Sequence, residues 1–242
     1  MAPATDLSQV TAAILAGGLG TRLRSVVADR PKVMAQVNGK PFLAYLLEQL
    51  STAGCRSVVL CTGYLGEQIE AAFGAQYAGL KLFYAREPQA LGTAGALRFA
   101  LPLLTSDPVI ALNGDSYCDA DLQAYWHWYC EGQPVASLLL TEVGNASRYG
   151  SVLIDAETRV RQFCEKSANM GPGSINAGVY ILRRAVLEMV PLDKMVSLEY
   201  DFFPKLVGQG LMGFVTQGRF LDIGTPEDFA LAEAFFAAKS HA

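Results

Sequence analysis

The chain has 242 residues, 51% of them apolar, and carries 19 basic against 23 acidic side chains for a formal net charge of −4. That length and apolar content support a sizeable core in one large domain, and the slight acidic excess argues against general nucleic-acid binding, which calls for a basic surplus. No stretch approaches the roughly 18–20 uncharged residues of a membrane span, and the opening MAPATDLSQV lacks the basic and apolar regions of a secretory signal, so a cytoplasmic protein with no membrane partner is expected.

In chain order, TAAILA (11–16) reads as a short buried strand stopped by glycine. The stretch 42–53 places Phe42, Leu43, Leu46, Leu47 and Leu50 on one helical face. SVVLCT (57–62) is the next strand and 65–73 the next helix, followed by the strand LKLFYA (80–85). A helix over 93–101, the strand PVIALN (108–113) and a helix over 119–130 complete the first half. This alternation predicts an α/β, Rossmann-like, doubly wound fold around a mostly parallel mixed sheet.

After 134 the rhythm changes. VASLLL (135–140), SVLI (151–154), VRQFC (160–164) and AGVYIL (177–182) are joined by shorter connections, and the polar turn DAETR between the middle two predicts a hairpin. The expectation is a single domain over 1–242, with one lobe over about 10–133 plus 211–238 and a smaller antiparallel lobe over about 134–210. Thr225-Pro226-Glu227-Asp228 is a helix-start signal, with proline at the first helical position, for a helix over 226–237.

Cys55, Cys61, Cys118, Cys130 and Cys164 form no C-x-x-C pair, so reduced and mostly buried thiols are expected rather than a zinc site or disulfide framework. The first strand exits into Gly17, Gly18 and Gly20, with Thr21, Arg22 and Lys32 in the same connection. Glycines at a strand exit let backbone N–H groups converge on anionic oxygens, and open parallel sheets bind ligands beyond the carboxyl ends of their strands. The Walker pattern is missing, and the dinucleotide fingerprint fails because Leu23 stands where its third glycine belongs. Neither an ordinary P-loop nor a Rossmann NAD site fits, yet glycines beside fixed positive charge still point to a phosphate ligand.

LAGGLGTRL (15–23), PK (31–32), GKP (39–41), LGTAGAL (91–97), NGD (113–115), YG (149–150), EK (165–166), NAGVY (176–180) and DIGTPED (222–228) occur in order along nearly the whole chain. Together they resemble the sugar-1-phosphate nucleotidylyltransferases, the nucleoside-diphosphate-sugar pyrophosphorylases. TRLRSVVADRPKVMAQVNGKPFL (21–43) looks most like the D-glycero-alpha-D-manno-heptose 1-phosphate guanylyltransferase subgroup, except that Val33-Met34-Ala35-Gln36 departs from the commoner Pro-Met-Ala-Pro.

The resemblance implies a nucleotide-diphospho-sugar transferase fold whose smaller lobe holds the sugar. It also implies joining of a nucleoside triphosphate, GTP favoured, to a sugar 1-phosphate with release of pyrophosphate. It assigns the nucleotide to Leu15, Ala16, Gly17, Gly18, Gly20, Thr21, Glu87, Gly92, Thr93, Asn113 and Gly114. Arg22 and Lys32 become the catalytic cations, and Asp115 and Asp222 ligands of Mg2+. Tyr149, Gly150, Glu165, Lys166 and Asn176 become the sugar-phosphate site. Arg24 and Arg30 stand between a phosphate role and a solvated rim, and Glu199 and Asp201 between metal, sugar and neither. An anionic nucleophile needs no general base, in keeping with a chain whose two histidines, His127 and His241, fall in a helix and at the tail.

Guanine presents two adjacent donors that one carboxylate could accept, which suits Glu87, whereas uracil or thymine would suit Gln89; the chain carries both. Alternatives are a mannose-1-phosphate guanylyltransferase, or a uridylyl- or thymidylyltransferase acting on a glucose- or N-acetylmuramate-type 1-phosphate. A non-catalytic nucleotide-sugar-binding subunit would be expected to lack some of Arg22, Lys32, Asp115 and Asp222, all present here. No hexapeptide repeats follow the last helix, so nucleotidyl transfer alone is expected; the working expectation for assembly is a homodimer.

Overall fold

The first apolar run, Thr11–Leu15 (β1), is buried from Thr11 to Ile14 and lies inside the main sheet. This is a computed structural model, and it describes residues 6–18, 23, 29–164 and 171–238. Gln36–Val37 (β2) and Lys40–Pro41 (β3) make a small antiparallel pair that delivers the chain into Phe42–Thr52 (α1). Ser57–Thr62 (β4), Gly66–Phe73 (α2), Gln76–Tyr77 (β5), Leu80–Arg86 (β6), Gly92–Ala100 (α3) and Val109–Asn113 (β7) continue the alternation. Ser116–Cys118 (β8) precedes Leu122–Gly132 (α4), which Asp121 caps by accepting the N–H groups of Gln123 and Ala124. Ala136–Val143 (β9), Ser151–Ile154 (β10), Val160–Cys164 (β11), Gly173–Leu182 (β12) and Arg184–Glu188 (α5) follow. A π-helical turn over Leu198–Phe202, then Phe203–Leu206 (α6), Leu211–Thr216 (β13), Phe220–Asp222 (β14), Pro226–Phe229 (α7) and Ala232–Ala237 (α8) end the described chain.

The main sheet has eight strands in the order β13-β9-β12-β7-β1-β4-β6-β5. β1 runs parallel to β4 and β7, β4 to β6, and β9 to β13. β12 runs antiparallel to both β7 and β9, and β5 antiparallel to β6. The sheet is thus mixed and mostly parallel, as expected. Both faces are covered, which is why its central strands read as unbroken apolar runs rather than alternating ones. Ala12, Ile14, Val58 and Leu60 enter one core with Leu43, Leu47, Trp126 and Phe236, while Ala13, Val59, Val109 and Ala111 enter the other with Leu97, Leu187 and Phe203.

The expected second lobe is less separate than its rhythm implies. The hairpin β10–β11 does stand apart as a two-stranded sheet, but β9 and β12 belong to the main sheet. The reason is the reversed direction of β12, which lets the chain return between β7 and β9 without a crossover helix. The tail helix expected over 226–237 is two short helices, α7 and α8; the Thr225 hydroxyl does accept the Asp228 N–H at its start. β13, absent from the sequence reading, extends the sheet edge, and the β8–β14 pair, a separate two-stranded sheet equally absent from that reading, brings 116 beside 222. Among the described residues no helix is long and apolar enough to cross a membrane.

Because β1, β4, β6 and β7 are parallel, their carboxyl ends open on one edge, and the connections leaving them meet there.

Candidate active site

Those four connections line a cleft of about 1080 Å³. Leu15, Ala16, Gly17 and Gly18 come from the β1 exit, Glu87 from the β6 exit, Gly92 and Thr93 from the start of α3, and Asn113, Gly114 and Asp115 from the β7 exit. Lys32, carried on a 3-10 turn after Pro31, also lines the cleft. Gly20, Thr21, Arg22, Arg24, Glu165, Lys166 and His241 lie outside the described residues.

Lys32 and the two aspartates converge. The Lys32 Nζ donates to Asp115 Oδ2 at 2.8 Å; the lysine side chain is only 10% exposed, whereas Asp115 is 44% exposed and open to the cleft. The β8–β14 ladder pairs Ser116 with Asp222, and the Ile223 N–H donates to the Asp115 carbonyl at 2.9 Å. Burial holds the Asp222 carboxyl above its ordinary pKa; the neighbouring Asp115 charge pushes the same way, and Lys32 opposes both. The Asp222 Oδ1 also accepts the Gly224 N–H.

This donor set fits a hard divalent cation. Mg2+ takes one or two carboxylates and fills its shell with water and phosphate oxygens, and a buried carboxylate crowded by a second one is relieved by a cation. Among the described residues no group of three or more His, Cys, Asp or Glu side chains could hold a metal.

Glu87 lies across the cleft floor. Its Oε1 packs against Gly17 and Gly63, where an added Cβ would meet it at 2.7 and 3.0 Å, and its Oε2 accepts the Leu91 N–H at 3.2 Å. Burial raises its pKa, partly offset by that N–H.

The glycines of LGTAG are approached closely by the chain's own segment 194–196. The Val196 carbonyl accepts the Ala94 and Gly95 N–H groups at 2.9 and 3.3 Å, and the Val196 N–H donates to Leu91 at 2.8 Å. A Cβ on Gly92, whose φ is +72°, would meet the Val196 oxygen at 2.5 Å, and one on Gly95 the Lys194 oxygen at 2.8 Å. The N-terminus of α3 is therefore capped from within, while Gly92 and Thr93 still line the cleft.

Of the expected sugar residues, Asn176 joins a polar network under the cleft. Its Nδ2 donates to the Tyr180 hydroxyl at 3.0 Å, which donates to Glu199 Oε1 at 3.1 Å. Glu199 lines the cleft. Tyr149 sits beside β14, its ring meeting Phe220 edge-on at 5.4 Å, and the neighbouring Arg148 makes a two-pronged ion pair with the buried Asp228. Burial, with the charges of Asp228 and Asp222, raises the Tyr149 pKa against the opposing pull of Arg148. Asp201 accepts the Ser197 N–H at 2.8 Å, and Arg30 pairs with its neighbour Asp29, which gives each an ordinary local role.

Tyr180 escaped the sequence reading, as did the cleft-lining Tyr64 and Met195. A glycine inside an apolar strand was the available signal for Tyr180. At Gly178, with φ of +73°, the β9–β12 register jumps from Asn176–Leu140 to Tyr180–Leu138, and this bulge brings Asn176 and Tyr180, which a regular strand would hold about 13 Å apart on one face, within hydrogen-bond reach. All five thiols are free, three buried and two half-buried, as expected.

A family model described as nucleotidyl transferase matches residues 11–239. The chain is 39% identical over 223 residues to a D-glycero-alpha-D-manno-heptose 1-phosphate guanylyltransferase of Aneurinibacillus thermoaerophilus, covering 92% of this chain and 96% of that protein. It is 37% identical over 230 residues to a mannose-1-phosphate guanylyltransferase of Mycobacterium tuberculosis, covering 93% of this chain and 64% of that longer protein. The crystal structure of HddC from Yersinia pseudotuberculosis complexed with GMP-PN superimposes with a TM-score of 0.83 at 37% identity, covering 94% of this chain and 99% of that one.

Proposed function

Because the chain belongs to the nucleotidyl transferase family, we propose that it transfers a nucleoside monophosphate from an NTP to a sugar 1-phosphate, giving an NDP-sugar and pyrophosphate. GTP is the nucleotide of this reading and D-glycero-alpha-D-manno-heptose 1-phosphate the sugar. The names of the heptose and mannose relatives and the GMP-PN complex support a guanylyl donor. The single observation that carries the chemistry is the convergence of Lys32, Asp115 and Asp222 at the edge of a glycine-lined cleft.

A phosphate oxygen of the sugar attacks the α-phosphorus, the new P–O bond forms, and the α–β bridging bond breaks as pyrophosphate leaves. Two anions must meet, so positioning and charge compensation carry the catalysis. Lys32 supplies a fixed positive charge beside the reacting phosphates, held in place by Asp115. Gly17 and Gly18 leave the β1 exit open to phosphate oxygens, and Arg22 adds a second cation for the departing pyrophosphate. Asp115 and Asp222 would hold Mg2+, which supplies charge neutralisation between the two substrates. Glu87 accepts the paired N–H donors of guanine, and Tyr149, Gly150, Glu165, Lys166 and Asn176 hold the sugar phosphate.

A second reading, mannose 1-phosphate as acceptor, draws on the similarity to the mycobacterial guanylyltransferase. One assay separates the readings: four NTPs crossed with hexose and heptose 1-phosphates, with pyrophosphate release followed with and without Mg2+. Metal-dependent turnover of GTP with the heptose 1-phosphate is expected. Turnover confined to UTP or dTTP overturns the guanine assignment, and preference for mannose 1-phosphate replaces the sugar.

A further inference from the structure

The segment between α5 and α6 grips the cleft from both its main chain and a side chain. Val196 caps the N-terminus of α3, as described above. Three residues later, the Glu199 carboxylate accepts four donors. Oε2 takes the Thr93 hydroxyl at 2.9 Å and the Ser197 hydroxyl at 3.0 Å; Oε1 takes the Tyr180 hydroxyl at 3.1 Å and Asn113 Nδ2 at 3.3 Å. Thr93 belongs to the nucleotide side, Asn113 to the β7 exit two residues before Asp115, and Tyr180 passes the connection on to Asn176 on the sugar side.

The chemistry of this hub fixes orientations. A carboxylate accepts hydrogen bonds and, when ionised, donates none. It therefore forces the amide nitrogen of Asn113 inward, where that nitrogen also donates to the Tyr180 hydroxyl at 3.3 Å. The Asn113 Oδ1 is the end left over, buried and with no partner among the described residues. The Thr93 hydroxyl is likewise spent, donating to Glu199 while accepting the Leu198 N–H at 2.7 Å. Tyr180 is fully buried, so its ring cannot swing out to break the chain of bonds. A hub saturated in this way holds its members rigidly, and catalysis that depends on positioning is sensitive to their displacement.

We propose that Glu199 is a positioning residue that ties the nucleotide side of the cleft to the sugar side through Thr93, Asn113, Tyr180 and Asn176. The inference rests on the functional reading above. It gives Glu199 a role that acts through its neighbours.

The test uses the full chain carrying Glu199→Ala, Glu199→Gln or Tyr180→Phe, assayed with GTP and the preferred sugar 1-phosphate alongside thermal unfolding. Glu199→Ala releases both sides, so kcat falls about 100-fold and both KM values rise. Glu199→Gln recovers part of kcat, because its carbonyl still accepts from Tyr180 and Asn113, while its amide can only donate to the Thr93 and Ser197 hydroxyls and leaves their protons without the carboxylate. Tyr180→Phe keeps the buried ring and removes only the link to Asn176. It raises KM for the sugar 1-phosphate about tenfold and leaves KM for GTP within about twofold, a split that general loosening of the fold would not produce. An active wild type with Glu199→Ala or Tyr180→Phe unchanged in every kinetic constant overturns the inference alone, as does a fall in both KM-dependent rates for Tyr180→Phe that merely follows lost stability. A wild type that turns over no NTP and sugar 1-phosphate pair removes the functional reading and this inference with it.

Discussion

The Lys32 ammonium lies 2.8 Å from the Asp115 carboxylate across 83 positions of sequence, and this contact joins the β1–α1 connection to the exit of β7. Replacing Lys32 with methionine keeps the aliphatic stem in its nearly buried setting and removes the charge. The expected result in steady-state assays is a loss of about 100- to 1,000-fold in kcat, the scale of deleting one preorganised charge at a reacting centre. Arginine should rescue poorly, because a planar fork does not reproduce a point charge in so closed a site.

Glu87 offers a pH signature. Its carboxyl is held above the ordinary range by burial, and guanine donors would favour the ionised form. KM for GTP should therefore rise as pH falls through that elevated pKa, since protonation removes an acceptor that the base requires. Glu87→Gln should flatten this dependence and reduce the preference for GTP over UTP by about tenfold or more. An unchanged preference excludes Glu87 as the reader of the base.

Two glycines separate ligand contact from internal packing. Gly92→Ala must place a Cβ 2.5 Å from the Val196 oxygen at a φ of +72°, and should cost about 1–3 kcal/mol in chemical denaturation. An added Cβ at Gly18 meets nothing within 4 Å. Gly18→Ala should change stability by less than about 0.5 kcal/mol, yet weaken GTP binding if the bare backbone there faces phosphate.

The thiols report on the core. Burial pushes Cys55, Cys61 and Cys118 up to about 12, so each is both shielded and protonated near neutrality. Iodoacetamide at pH 8 should add no more than two labels to the native chain, at Cys130 and Cys164, and five after denaturation, as read by intact mass. A third native label contradicts the packing of the core that holds the labelled thiol, Cys55 and Cys118 on one sheet face or Cys61 on the other.

Most of the central sheet was legible because its strands are apolar runs punctuated by glycine and its helices show one apolar face; Phe42–Thr52 and Ser57–Thr62 match their sequence patterns closely. Lys32, Asp115 and Asp222 were found through ordered motifs, but their meeting depends on the β8–β14 pair, two strands of three residues that carry no local signature. The place of β12 was also hidden, since an antiparallel strand inside a parallel sheet looks locally like any other buried strand. The same holds for Val196 at Gly92: glycine announces a close approach without saying by what. A ligand and the chain's own backbone make the same demand on it.

The most direct test of the central claim is kcat for Asp222→Asn with GTP, sugar 1-phosphate and Mg2+, measured beside GTP binding to the same protein. Asparagine keeps the shape and the Gly224 contact but removes the charge that Asp222 shares with Asp115 and Lys32. The account predicts a fall in kcat of about 100-fold or more in a folded protein that still binds GTP. A variant with kcat within about twofold of the wild type contradicts it.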